Sequence, residues 1–151
     1  MLPEAARYDI KVLATDIDPN MVAEGTAGVY SDSLMQPVPS DQRLRWFSAA
    51  RSAGGKVWTA NDALRTLVSF RELNLIGNWP MRGQFDAIFC RNVVIYFEAD
   101  TQARLWGRFA PQLVPGGYLY IGHSERVSGP AAARFESEGI TTYRLKQEAR
   151  K

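Results

Sequence analysis

Phe85-Asp86-Ala87-Ile88-Phe89-Cys90-Arg91-Asn92-Val93-Val94-Ile95-Tyr96-Phe97 is the stretch on which the fold reading depends. Phe85 to Cys90 is apolar except for Asp86, so it reads as a central strand buried on both faces, the habit of parallel sheets. The polar pair Arg91-Asn92 closes the run. Downstream, Ala99 to Leu113 reads as a helix, because Leu105, Phe109 and Leu113 recur at i, i+4 and i+8 behind a capping Asp100. Val114-Pro115-Gly116-Gly117 ends it, Tyr118 to Gly122 is a strand, and Ile140 to Leu145 alternates as a last one. Upstream, Val68 to Leu75 is a strand broken by Gly77-Asn78-Trp79-Pro80. Ile10 to Asp16 is a further buried strand, followed by Asp18 as cap and Pro19 as first residue of a helix that stops near Gly25 or Gly28. Strand and helix in alternation predict an α/β fold.

Residues 31–63 differ in character. They hold Pro37, Pro39, a helix over Asp41–Phe47 capped by Ser40, the pair Gly54-Gly55 and a short strand at Lys56–Thr59. The segment reads as a small insert carried on the main sheet.

Composition bounds the answer. The 151 residues, 46% of them apolar and 23% charged, fit one globular domain. One cysteine and one histidine leave no structural zinc site. No apolar run approaches the about 18 residues of a membrane span. Met1-Leu2-Pro3-Glu4-Ala5 lacks the features of a signal peptide. A cytoplasmic protein with no membrane insertion is expected. The net charge is only +2 and the cations are scattered, so nucleic acid is not an expected partner. Arginine outnumbers lysine, which reads as a GC-rich genome rather than as recognition of carboxylates or phosphates.

In open parallel sheets ligands sit at the carboxyl ends of strands. Asp16, Asn74 and the Arg91-Asn92 pair fall there. Asp16 suits ribose hydroxyls or a helix cap, and Asp18 is better placed for the cap. Asn74 lies in an apolar run, where its amide needs a ligand nitrogen or a backbone group as partner. Cys90 reads as core rather than nucleophile, since no base neighbours it. Ser124 lacks the G-x-S-x-G context of a hydrolase. No glycine occurs among the 15 residues before Asp16, so a complete dinucleotide-type loop cannot be built there, and a nicotinamide dehydrogenase is disfavoured.

Four blocks together resemble the CheR-type chemotaxis receptor methyltransferases. They are Ala14-Thr15-Asp16-Ile17-Asp18, Leu73-Asn74-Leu75, the Phe85–Phe97 stretch, and Pro115-Gly116-Gly117-Tyr118-Leu119-Tyr120-Ile121-Gly122-His123-Ser124-Glu125. The resemblance runs from about residue 8 to the end. It implies a Rossmann-like S-adenosylmethionine-dependent methyltransferase fold, truncated at the N-terminus, with residues 31–63 as an inserted β-subdomain in a partial domain over 1–151. It implies methylation of glutamate side chains on the cytoplasmic domains of chemoreceptors, with S-adenosylhomocysteine as product. By the same resemblance Asp16 would bind the cofactor's ribose, Asn74 and Leu75 its adenine end, and Arg91 and Asn92 would line its site. Tyr96 would be the catalytic residue facing the methyl transfer, and no metal is implied.

The resemblance also implies absences. The family's N-terminal domain, first sheet strand and S-T-G-E-E-type loop have no counterpart, and the insert carries Arg51-Ser52-Ala53-Gly54-Gly55 in place of an R-G-x-G stretch. Little turnover is expected of the chain alone. A non-catalytic module that binds a receptor or partner protein is the alternative. The unfilled strand position predicts either direct pairing of the Asp16 strand with Phe85–Cys90 or self-association.

Overall fold

Asp18 starts the first helix as its sequence requires. Its carboxylate accepts the Asn20 N–H at 2.8 Å, Pro19 takes the first helical position, and Gly28 closes the helix in the left-handed conformation at φ 65°. A computed structural model of the chain describes residues 8–147. These fall into two compact units, divided between Gly77 and Asn78.

The first unit runs β1 (Val12–Asp16), α1 (Pro19–Ala27), β2 (Val29–Ser31), α2 (Asp32–Met35), α3 (Ser40–Trp46), β3 (Phe47–Ser52), β4 (Gly55–Ala60), α4 (Asp62–Arg65) and β5 (Val68–Glu72). β1 pairs in parallel with β5, from Val12 opposite Val68 to Asp16 opposite Glu72. β2, β4 and β3 form a separate antiparallel sheet in that order. Trp58 anchors this three-stranded sheet at 4% exposure. Its indole N–H donates to Asp32 at 2.7 Å, and the Lys56 ammonium lies 4.3 Å from its ring. The Trp58 hydrogen bond, with Lys56 beside it, holds the Asp32 carboxyl below its ordinary value.

The second unit runs β6 (Phe85–Cys90), a 3-10 turn (Val94–Tyr96), α5 (Ala99–Gln112), β7 (Leu113–Ile121), a second 3-10 turn (Pro130–Arg134), β8 (Phe135–Ser137) and β9 (Thr142–Leu145). Its sheet has the order β6-β7-β9-β8. β6 and β7 are parallel, and the pairs with β9 are antiparallel. Leu105 and Trp106 of α5, Leu113, Leu119 and Ile121 of β7, and Val94 are its largest fully buried apolar side chains. Each contributes about 1.5–3 kcal/mol of transfer free energy. Phe109 stacks obliquely on Trp79 with ring centres 5.2 Å apart.

Several expectations are corrected. β6 is not buried on both faces: among the described residues it ends its sheet with β7 as its one partner strand, and it leaves Phe89 71% exposed. β1 likewise ends its sheet, with β5 alone beside it among the described residues, and most of its residues are exposed. An apolar run therefore identified each strand, while its place at a sheet end sets the exposure. Ser40 is the first residue of α3 and not its cap, because Pro39 occupies the capping position with no side-chain bond. Asp100 lies in the first turn of α5, and Glu98 precedes it as cap. Val114-Pro115-Gly116-Gly117 lies inside β7 and does not end the helix. There it makes a bulge, with Phe85 opposite Leu113 but Ala87 opposite Tyr118. The helix stops at Gln112, and Gln84 donates to the carbonyls of Pro111 and Leu113 at 3.2 and 3.0 Å. The strands β2, β3 and β8 carry little apolar alternation, so the sequence pattern does not mark them.

Candidate functional site

In the first unit, the rim at the carboxyl end of β1 and β5 is built from backbone. The carbonyl of Asp16 accepts the Leu73 N–H at 2.9 Å, so the chain leaving β5 stays beside the end of β1 for one more residue. Asp16 and Asn74 thus share one rim, and both are exposed. Asp16 Oδ1 accepts the Asp18 N–H at 2.9 Å, a turn that fixes the carboxylate on its own backbone. The two acids divide their work as expected: Asp18 caps α1, and Asp16 does not. Asn74 is not buried as the apolar run suggested. Its Oδ1 accepts the Ile76 N–H at 2.9 Å, and its backbone carbonyl accepts the Gly77 N–H at 3.1 Å. A tight turn follows β5, therefore, with half-buried Leu75 inside it.

In the second unit, the loop after β6 is built differently. Arg91 and Asn92 are exposed, and Asn92 adopts φ 59°, the left-handed region that asparagine tolerates better than most residues. Val94 is fully buried, and Tyr96 is 81% exposed. Among these residues lies a charge from elsewhere in the sequence. Glu125 is 2% exposed, and its Oε1 accepts the N–H groups of Val93, Val94 and Ile95 at 3.1, 2.8 and 3.2 Å. Its Oε2 accepts the Gly122 N–H at 2.5 Å. Successive N–H groups turned toward one oxygen form an anion-binding concavity, here filled by the chain's own carboxylate. Burial of the anion is sustainable because four donors surround it.

Gly122, at the end of β7, completes the arrangement. A Cβ placed on it would stand 2.6 Å from Asn92 Oδ1 and 2.9 Å from Glu125 Oε2. The asparagine and the carboxylate close over a space that only glycine leaves. Neither Gly122 nor Glu125 was singled out in the sequence for a role in the site. The signal was present in Gly122-His123-Ser124-Glu125, but nothing local links that glutamate to a loop some thirty positions earlier.

Cys90 is buried at the end of β6, and its thiol is pushed up to about 12, first by burial and then by the negative charge of Glu125. It is no nucleophile at neutral pH. Ser124 and His123 are exposed on the turn before Glu125. Among the described residues no cluster of three or more His, Cys, Asp or Glu could hold a metal ion. No helix among them is long and apolar enough to cross a membrane.

Comparison with known proteins gives these residues a context. The family described as CheR methyltransferase, SAM binding domain, matches residues 1–144. The chain is 50% identical over 144 residues to a "Probable chemotaxis protein methyltransferase" of Rhizobium etli, covering 95% of this chain and 54% of that one. It is 38% identical to a "Chemotaxis protein methyltransferase" of Klebsiella aerogenes and 36% identical to the one of Escherichia coli. Each of those alignments covers 91% of this chain and 48% of the relative. The chain thus spans about half the length of the curated relatives it matches.

Proposed function

The chain belongs to the CheR methyltransferase family through its SAM-binding domain, and from this premise we propose that it is the cofactor-binding part of a protein-glutamate O-methyltransferase acting on the cytoplasmic domains of chemoreceptors. The observation that carries the reading is the 50% identity to the Rhizobium etli protein along nearly the whole chain. The module without chemistry gains nothing from it. A cytoplasmic location follows from such a substrate.

S-adenosylmethionine is the cofactor of this domain family, and the donors present suit it. Asp16 offers its carboxylate to the ribose hydroxyls, with Oδ1 already oriented by the Asp18 N–H. With Asn74 Oδ1 committed to Ile76, the NH2 group is left to serve a ring nitrogen of adenine, and Leu75 supplies an apolar contact beside it. By the family resemblance, Arg91 and Asn92 in the loop after β6 would also contact the cofactor.

When bound, the cofactor supplies an electrophilic methyl on a sulfonium. The acceptor is a glutamate carboxylate, already ionised at neutral pH, so no residue of this chain has to act as a strong base. The loop residues orient and exclude water. Tyr96 presents its hydroxyl to the acceptor carboxylate through a charge-assisted hydrogen bond, and this positioning is its catalytic contribution. The exposed β6, with one partner strand, is the surface through which a second copy of the chain would add, and sedimentation of the isolated chain tests that association.

Calorimetric titration of S-adenosylhomocysteine into the chain tests the cofactor reading. Binding is expected, and Asp16→Ala is expected to weaken it by at least about tenfold, the loss of a charged hydrogen-bonding partner. Folded chain that takes up no ligand would overturn it.

A further inference from the structure

Glu125 has no assigned role, yet it is the one buried carboxylate among the described residues. Its surroundings say what it does. The loop from Arg91 to Tyr96 is anchored at its middle, where Val94 is fully buried and three consecutive N–H groups meet Glu125 Oε1. The same loop is exposed at both flanks, at Arg91 and Asn92 on one side and Tyr96 on the other. A segment held at its centre and open at its ends presents those ends. The other carboxylate oxygen is tied to the backbone of Gly122, the last turn out of β7. One side chain therefore fixes the loop after β6 to the end of the neighbouring parallel strand, and Asn92 Oδ1 seats against Gly122 as a result.

We propose that Glu125 is the positioning residue of the site: its carboxylate clamps the Val93–Ile95 backbone to Gly122, and the clamp sets Asn92 and Tyr96 in place for cofactor and acceptor. The role given to Asn92 and Tyr96 rests on the function proposed above; the clamp itself does not. Charge and reach are both required. A glutamine keeps the reach, but its NH2 must face either the three loop N–H groups or the Gly122 N–H, donor against donor. An aspartate keeps the charge but is one methylene short of spanning both sets.

The test uses the 151-residue chain with Glu125→Gln, Glu125→Asp and Gly122→Ala, read by residue-resolved amide hydrogen exchange and by S-adenosylhomocysteine affinity. In Glu125→Gln, exchange at Val93, Val94, Ile95 and Gly122 is expected to rise at least about tenfold over the change at Leu119 and Ile121, which report the stability of the unit as a whole. Affinity is expected to fall by at least about tenfold, with Glu125→Asp between wild type and Glu125→Gln. A merely structural glutamate would raise exchange at all these amides alike and leave the affinity of the folded fraction unchanged; that result overturns the proposal. So does loop exchange equal to wild type. If Glu125→Gln does not fold, Gly122→Ala decides, because it keeps the charge and displaces only Asn92 and the carboxylate. It must weaken binding with exchange at Leu119 unchanged, and wild-type affinity would refute the clamp. If wild type binds no S-adenosylhomocysteine, the cofactor reading fails, and the exchange pattern alone upholds or refutes the clamp.

Discussion

The rim around Asp16 and the loop around Asn92 occupy equivalent places at strand ends, yet they are held by opposite means. At the first rim each side chain is fixed by its own neighbours: Asp16 by the Asp18 N–H, Asp18 by Asn20, Asn74 by Ile76, all two residues apart. At the second, one carboxylate reaches across some thirty residues of sequence to hold three backbone amides. Local turns open at little cost in water, because their groups are solvated when the turn opens. A buried anion has no such alternative, so the loop it holds is closed or strained. The first rim tolerates exposure, whereas the second depends on the core beneath it.

That contrast can be broken most forcefully from the core. Trp106 is fully buried in α5, and Trp106→Ala is expected to cost about 3–5 kcal/mol in urea unfolding of the second unit. Exchange at Val93–Ile95 should then rise with it. If the Asn20 amide rises in step, the two rims are not held independently and the contrast fails. A smaller and opposite perturbation is Asp18→Ala, which removes the cap of α1 at a cost of about 1 kcal/mol. Thermal melts should show that loss while amide exchange in the loop after β6 stays as in wild type. The smallest effect sharpens the comparison with a contact that is distant in sequence and only part-buried. Asp32 accepts the Trp58 indole N–H, and its carboxyl sits below its ordinary value of 3.8. The bond's contribution is therefore full above that value and is lost as pH falls through the lowered one. The stability of Trp58→Phe should move toward that of wild type over this acid window, and a gap between them that stays constant with pH would show that the contact does not depend on the Asp32 charge.

The same contrast explains what could be read in the sequence. The cap at Asp18, the strand Phe85–Cys90 with its stated ends, and the face of α5 bearing Leu105 and Phe109 follow from neighbours within a few residues. Their patterns are complete in the local chain. The exposure of Asn74 and of Phe89 does not follow from the sequence, because an apolar run shows that a strand forms and not whether a second strand covers it. The grip of Glu125 was invisible for another reason. A glutamate three residues after a strand-ending glycine looks like a solvated turn residue until the fold places Val93, Val94 and Ile95 against it.

Cys90 offers a use for the burial that surrounds that grip. It is the sole thiol in the sequence, it is shielded, and it is held protonated far above neutral pH. An alkylating reagent can therefore reach it only when the end of β6 opens. The rate at which native chain is labelled is a clock for that opening, built in without any added probe. Under a constant reagent concentration it should tick faster whenever the grip on the adjoining loop is loosened.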